Sequence, residues 1–210
     1  MPISRRPPSP ATSAGPRGLS IAAVTAVLKH LLENGLAGRN VTSQLGGDVM
    51  ISALPPDRIP SGSDERAQLN IFLHQVTPHS ALQLGRAGAR SPLSVELHYL
   101  ITAYGAQDFQ SEILLGHAID ILHEHAQLDA ETVRTSLAAL ASGADRRVVP
   151  PTLVTVATSD VADHVEGMRI TPEFLGGEDI SRLWSALQAR FRPSATYKVT
   201  SVPLVAPAEA

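Results

Sequence analysis

From Ser20 onward, apolar residues recur at spacings of three and four. Ile21, Val24, Val27, Leu28, Leu31 and Leu32 fall on one broad stripe of an amphipathic helix. Ser20 is the expected N-cap of this helix, and Asn34-Gly35 the left-handed stop. Residues 46–63 are rich in Gly and Pro, so only Asp48 to Ala53 reads as a strand there, followed by a mobile loop from Pro55 to Ser63. Leu69 to Val76 is apolar in both phases, which predicts a central strand. The loop from Thr77 to Ser91 is a candidate contact element. Leu93 to Gly105 then alternates cleanly. Leu93, Val95, Leu97, Tyr99, Ile101 and Ala103 share one phase, with Ser94, Glu96, His98, Leu100, Thr102 and Tyr104 in the other.

Helices are predicted over Gln110 to Gln127 and over Asp129 to Ala141, the second closed by Ser142-Gly143. Val148 to Val156 reads as a strand broken by Pro150-Pro151, and Met168 to Thr171 as a weaker one. Glu178 to Phe191 follows as a helix on Ile180, Leu183, Trp184, Leu187 and Phe191, with Trp184 and Phe191 as core anchors one heptad apart. Ser194 to Val205 returns to a β pattern, and Pro203 marks it as an edge strand. The order predicts an α/β (α+β) fold in a single domain, a mixed and largely antiparallel sheet with helices packed on it.

Composition narrows the function classes. A chain of 210 residues with 43% hydrophobic content supports one sizeable core. The formal charge of -3 offers no general attraction for nucleic acid or anionic lipid, and cysteine is absent, as fits a reducing cytoplasm. No run approaches the roughly 18 apolar residues that cross a bilayer. Residues 1–18, rich in Pro and Arg, are expected to form a disordered arm, 19–205 the folded domain and 206–210 a flexible tail. Ser4-Arg5-Arg6 is followed by prolines where a twin-arginine export signal needs an apolar region. The sequon Asn40-Val41-Thr42 is a chance match in a turn.

The eight histidines invite a metal hypothesis. His117, His123 and His125 lie at about 0°, 240° and 80° around their helix, so they cannot share one ion. His125, on the apolar side, should find a backbone partner instead. If the strands 69–76 and 93–104 are neighbours, His74 and His98 share a face with Glu96 nearby, a set suited to a metal facial triad or to acid-base work. That arrangement depends entirely on register. No phosphate loop, dinucleotide fingerprint or nucleophile elbow is present. Asp160, Asp163, His164 and Glu166 read as a solvated face.

Several segments together resemble the tail-terminator, or cap, proteins of extracellular contractile injection systems of the antifeeding-prophage and virulence-cassette type. They are LNIFLHQVTPH (69–79), PLSVELHYLITAYG (92–105), EILLGHAIDILHEH (112–125), ISRLWSAL (180–187) and SATYKVTSV (194–202). The most specific positions are Leu97, Tyr99 and Leu100 with Ala103-Tyr104, and Glu112, Leu115, Gly116 and Ala118. His79 stands where such sequences often have Asn, and the arm and the 46–63 insertion are peculiar to this chain. The resemblance implies a structural assembly protein with no catalytic residues, cofactor, metal or small-molecule substrate. It implies a homo-hexamer ring that meets the inner tube protein and the sheath protein, assembled in the cytoplasm as part of a particle that can be released. The contact surfaces expected are a strand edge at Ala195 to Val205, the loop Thr77 to Ser91, and the insertion Gly46 to Ser63. A metal-dependent enzyme using His74, His98 and Glu96, or a monomeric adaptor of the particle, are the alternatives.

Overall fold

The computed structural model describes residues 19–79, 93–142, 162–163, 165 and 167–204. Helix α1 (Leu19–Gly38) and the short α2 (Val41–Leu45) precede strand β1 (Met50–Ser52). Strands β2 (Gln68–Pro78) and β3 (Leu93–Tyr104) lead to α3 (Gln110–Glu124), β4 (Gln127–Leu128) and α4 (Ala130–Ala141). Strand β5 (Met168–Glu173), helix α5 (Gly177–Ala186) and β6 (Ser194–Leu204) complete the described chain. The six strands form one sheet in the order β1-β2-β3-β6-β5-β4, in which only β1 and β2 run parallel. The mixed, largely antiparallel sheet is the one the periodicities predict.

The main core lies between one sheet face and helices α1, α3 and α4. Leu97, Tyr99, Ile101 and Ala103 of β3 are buried there against Val24, Leu28 and Leu32 of α1 and Leu114, Ile121 and Leu122 of α3. Tyr99 is fully buried, and its hydroxyl meets Thr25 Oγ1 at 2.9 Å. Burial pushes this phenol well above its usual range. The other phase of β3 is also covered along its second half, where Leu100, Thr102 and Tyr104 are buried. Arg192, on the segment between α5 and β6, lies 5.8 Å from the Tyr104 ring centroid and pairs with Glu65 at 2.6 Å. Burial, partly opposed by Arg192, raises Tyr104 to about 12.

Several elements differ from expectation for identifiable reasons. Helix α1 runs straight through Asn34-Gly35, and Ser20 lies within its first turn rather than capping it. A Cβ on Gly35 would sit 2.6 Å from Ile121 Cδ1, so this glycine permits α1 and α3 to approach closely instead of ending the helix. The chain turns at Asn40, which adopts the left-handed conformation at φ 55°. Helix α3 ends at Glu124, and Gln127–Leu128 pair with β5 instead of extending the helix. Asp129 caps α4, its side chain accepting from Thr132 N at 2.7 Å.

Strand β6 is not an edge. It lies between β3 and β5, paired to β5 from Thr196 to Thr200. Pro203 is tolerated because it sits beyond the last residue paired to β5, facing only Ser94 of β3. Helix α5 ends ten residues after it begins, so Phe191 falls outside it and is 62% exposed; Trp184 alone is the buried anchor. The predicted strand at Val148 to Val156 and the residues Asp160, His164 and Glu166 lie outside the described residues, as do the 1–18 arm and the tail.

Candidate functional site

Strands β2 and β3 are neighbours, as the histidine hypothesis requires, but two bulges decide what their side chains meet. Leu73 faces Tyr99 while Gln75 faces His98, leaving His74 as the extra residue. Between β3 and β6, Val95 faces Val202 and Leu97 faces Val199, so Thr200 and Ser201 oppose Glu96 alone. Within this bulge Ser201 takes the left-handed conformation, φ 59°.

The result is two adjoining polar ties rather than one triad. His98 is 8% exposed and hydrogen-bonded on both nitrogens, with Nδ1 2.8 Å from Glu173 Oε2 on β5 and Nε2 2.9 Å from Thr77 Oγ1 on β2. A neutral ring with its proton on Nδ1 satisfies both contacts, since the carboxylate accepts and the threonine hydroxyl donates. Glu96 turns elsewhere. It receives His79 Nδ1 at 2.9 Å on one oxygen and Lys198 Nζ at 3.2 Å on the other. Burial pushes the Glu96 carboxyl up, but its hydrogen bonds from His79 and Lys198, and their charges, outweigh that and hold it below the usual carboxylate range.

His74 stands beside His98, ring centroids 6.2 Å apart, with its Nε2 buried and lacking a partner among the described residues. Burial, then the nearby His98, lowers its pKa below the ordinary value, against the pull of Glu173. The structure therefore brings His74 and His98 together and directs Glu96 to other partners. Among the described residues no group of three or more His, Asp or Glu is placed to hold a metal ion. What the arrangement accomplishes is mechanical: side chains from β2, β3, β5 and β6 are joined across the sheet. Sequence reasoning named His74, His98 and Glu96 but missed Glu173, Thr77 and Lys198, because their role depends on which strands flank β3.

His117 on α3 and His125, which caps its C-terminus, find separate partners. His117 Nε2 lies 3.2 Å from Gln44 Oε1 and His125 Nδ1 2.9 Å from the Ile121 carbonyl oxygen. Asp163 is exposed and paired with Arg134 at 3.1 Å. Of the expected contact surfaces, Ala195 to Leu204 is interior to the sheet up to Thr200, and most of the Thr77 to Ser91 loop lies outside the described residues. The 46–63 segment supplies β1 and two single turns of 3₁₀ helix, with Leu54 42% exposed. A depression of about 500 Å³ on α5 is walled by Trp184 and Phe191, whose rings lie 5.7 Å apart. No helix among the described residues is long and apolar enough to cross a membrane.

Residues 23–210 match the family described as the Pvc16 N-terminal domain, and the chain belongs to that family. No curated protein matches the chain. Among solved structures, it is similar to the sheath/tube terminator of an extracellular contractile injection system, PVC, in the extended state. That match has 20% identity over 86% of this chain and 55% of that one, with a TM-score of 0.49. It is also similar to the anti-feeding prophage cap, a tube-terminating cap, at 19% identity over 80% of this chain and 52% of that one, with a TM-score of 0.45. The chain thus spans about half the length of the solved chains it matches.

Proposed function

We propose that this member of the Pvc16 N-terminal domain family is a terminator of a contractile, phage-tail-like injection particle. It docks on the finished inner tube and the last sheath ring, ends their polymerisation and so sets particle length. The observation that carries this reading is the family membership, which extends over residues 23–210. The role is structural, with no catalytic step and no cofactor.

The physical requirement is specific. A helical polymer exposes the same heterologous surface at its growing end after every addition, so stopping it takes a subunit that complements that surface without reproducing it. A sixfold ring of identical copies meets that requirement, and linkage within the ring raises the effective concentration of every copy once the first has docked. Weak individual contacts then suffice. A rigid subunit is an advantage, because a ring that deforms loses register with the polymer beneath it. The ties at His98–Glu173 and at Glu96 with His79 and Lys198 supply cross-strand stiffness of that kind. Assembly takes place in the cytoplasm, before any release of the particle.

Deleting the chain from a producing cell tests the role. Particle lengths by negative-stain microscopy should broaden, and supplying the chain in trans should restore one length. An unchanged length distribution in the deletion would refute it.

A further inference from the structure

We infer that Ser201 is an activated nucleophile, with His79 as its general base and Glu96 as the positioning residue, able to take an acyl group from an activated ester. This goes beyond the terminator role and does not depend on it. His79 Nδ1 lies 2.9 Å from Glu96 Oε1, and His79 Nε2 lies 3.5 Å from Ser201 Oγ. Hydroxyl, imidazole and carboxylate thus stand in series. Glu96 is on β3, Ser201 on β6 and His79 just past the end of β2, and β2 and β6 are the two strands that flank β3. Residues 79, 96 and 201 lie far apart along the chain, so no local motif announces them. The His79 amide donates to the Ser94 carbonyl at 3.0 Å, which holds this residue against β3.

The partners fix the protonation states. Glu96 accepts from Lys198 Nζ at 3.2 Å on its second oxygen, and a carboxyl held below its usual range is ionised and can only accept. The proton between Glu96 and His79 is therefore on Nδ1. In the neutral ring this leaves Nε2 a bare acceptor facing the Ser201 hydroxyl, which is the tautomer a general base needs. The 3.5 Å contact is long, and pairs of this kind tighten when an electrophile is bound.

Shelter decreases along the series in the order such a device requires. The Glu96 side chain is 14% exposed and that of His79 22%, while Ser201 is half-buried and open to a reactant. Ser201 also holds φ 59°, a region sparsely occupied by serine, and backbone outliers of this kind gather at functional sites. In the step itself, Ser201 Oγ bonds to the acyl carbon as its proton passes to His79 Nε2. The bond from that carbon to the aryl oxygen breaks, and the aryloxide leaves with the electron pair. His79 then releases the proton to the aryloxide, so ester and serine become acyl-serine and a phenol. These three side chains offer no donor to the oxyanion of the intermediate, so the electrophile must already be activated, as an aryl ester is.

Treating the full chain with p-nitrophenyl acetate, and locating each acetyl group by peptide mass spectrometry, tests the assignment. Ser201 should acetylate at least about a hundredfold faster than the other serines of the same chain, which serve as internal standards. His79→Ala should slow Ser201 by about a hundredfold, and added imidazole should restore part of the rate, a response that loss of a structural tie does not give. Ring-nitrogen NMR shifts of His79 should report the Nδ1–H tautomer in the wild type and its loss in Glu96→Gln, with Ser201 slowed by about tenfold or more in that variant. If a variant fails to fold, the comparison among serines of the wild type decides alone. A Ser201 rate equal to that of the other serines, or one that folded His79→Ala leaves unchanged, would overturn the inference, and neither result bears on particle length.

Discussion

Gly35 and Gly116 sit in neighbouring helices and should respond to alanine with opposite signs. In an unobstructed helix interior, Gly→Ala stabilises by about 0.5–1 kcal/mol, because alanine has less backbone freedom to lose. Gly116 meets that condition: a Cβ there finds no atom within 4 Å. At Gly35 the added carbon would lie 2.6 Å from Ile121 Cδ1, 2.7 Å from Cγ1 and 3.0 Å from Cγ2. Rotating one terminal methyl cannot relieve three such contacts, and Ile121 is fully buried in the core between α1, α3 and the sheet. Overpacking of this kind costs about 1–3 kcal/mol, which exceeds the propensity gain. Gly35→Ala should therefore destabilise by about 1–2 kcal/mol net. At roughly 2–4 °C per kcal/mol for a chain of this size, the two variants should differ in thermal midpoint by about 3–12 °C. Urea denaturation with unchanged m-values would show that the effect lies in the folded state. Ile121→Val, which alone costs about 0.5–1.5 kcal/mol, should cost less or nothing in the Gly35→Ala background, since it deletes the closest clashing atom. If Gly35→Ala raises the midpoint as Gly116→Ala does, the close approach of α1 and α3 is wrong.

Other outcomes follow from the same geometry. Because burial and then His98 lower the His74 pKa from 6.5, the folded state binds that proton less readily than the unfolded chain does. Stability from this group is full above 6.5 and is lost as pH falls through that value; thermal midpoints between about pH 7.5 and 5.5 should drop, and His74→Leu should flatten the drop. Thr25→Val strands the buried Tyr99 hydroxyl and should cost about 1–3 kcal/mol by urea denaturation, whereas the double variant with Tyr99→Phe should recover most of that loss. Gln188, at φ 51° just past the end of α5, should gain about 1 kcal/mol as glycine, read as a raised midpoint.

Much of this fold is legible in the chain because its signals are local. The alternation from Leu93 to Tyr104 marks β3, and the helical pattern from Asp129 to Ala141 marks α4, with Asp129 as the residue that caps it. What escapes the sequence is set by partners distant along it. Gly35 looks like a helix stop, and only the position of Ile121 on α3 reveals it as a packing contact. Pro203 looks like an edge marker, yet β5 simply ends before reaching it. The polar cluster shows the same division. That His74 and His98 share a face follows from two neighbouring strands, but the bulges at His74 and at Thr200–Ser201 redirect Glu96 toward Lys198 and His79 and bring Glu173 to His98. A bulge inserts one residue and reverses every inward and outward assignment beyond it, so no periodicity argument survives one that goes unseen.

The central claim is that this chain closes the end of a tube and sheath. Cryo-electron microscopy of purified intact particles, with the end distal to the baseplate reconstructed without imposed symmetry, tests it directly. The account predicts one ring of six copies of this fold seated on the last tube and sheath layers, with no further layer above them formed by either polymer. Ends that lack this chain, or copies of it found only along the shaft or at the baseplate, would contradict it.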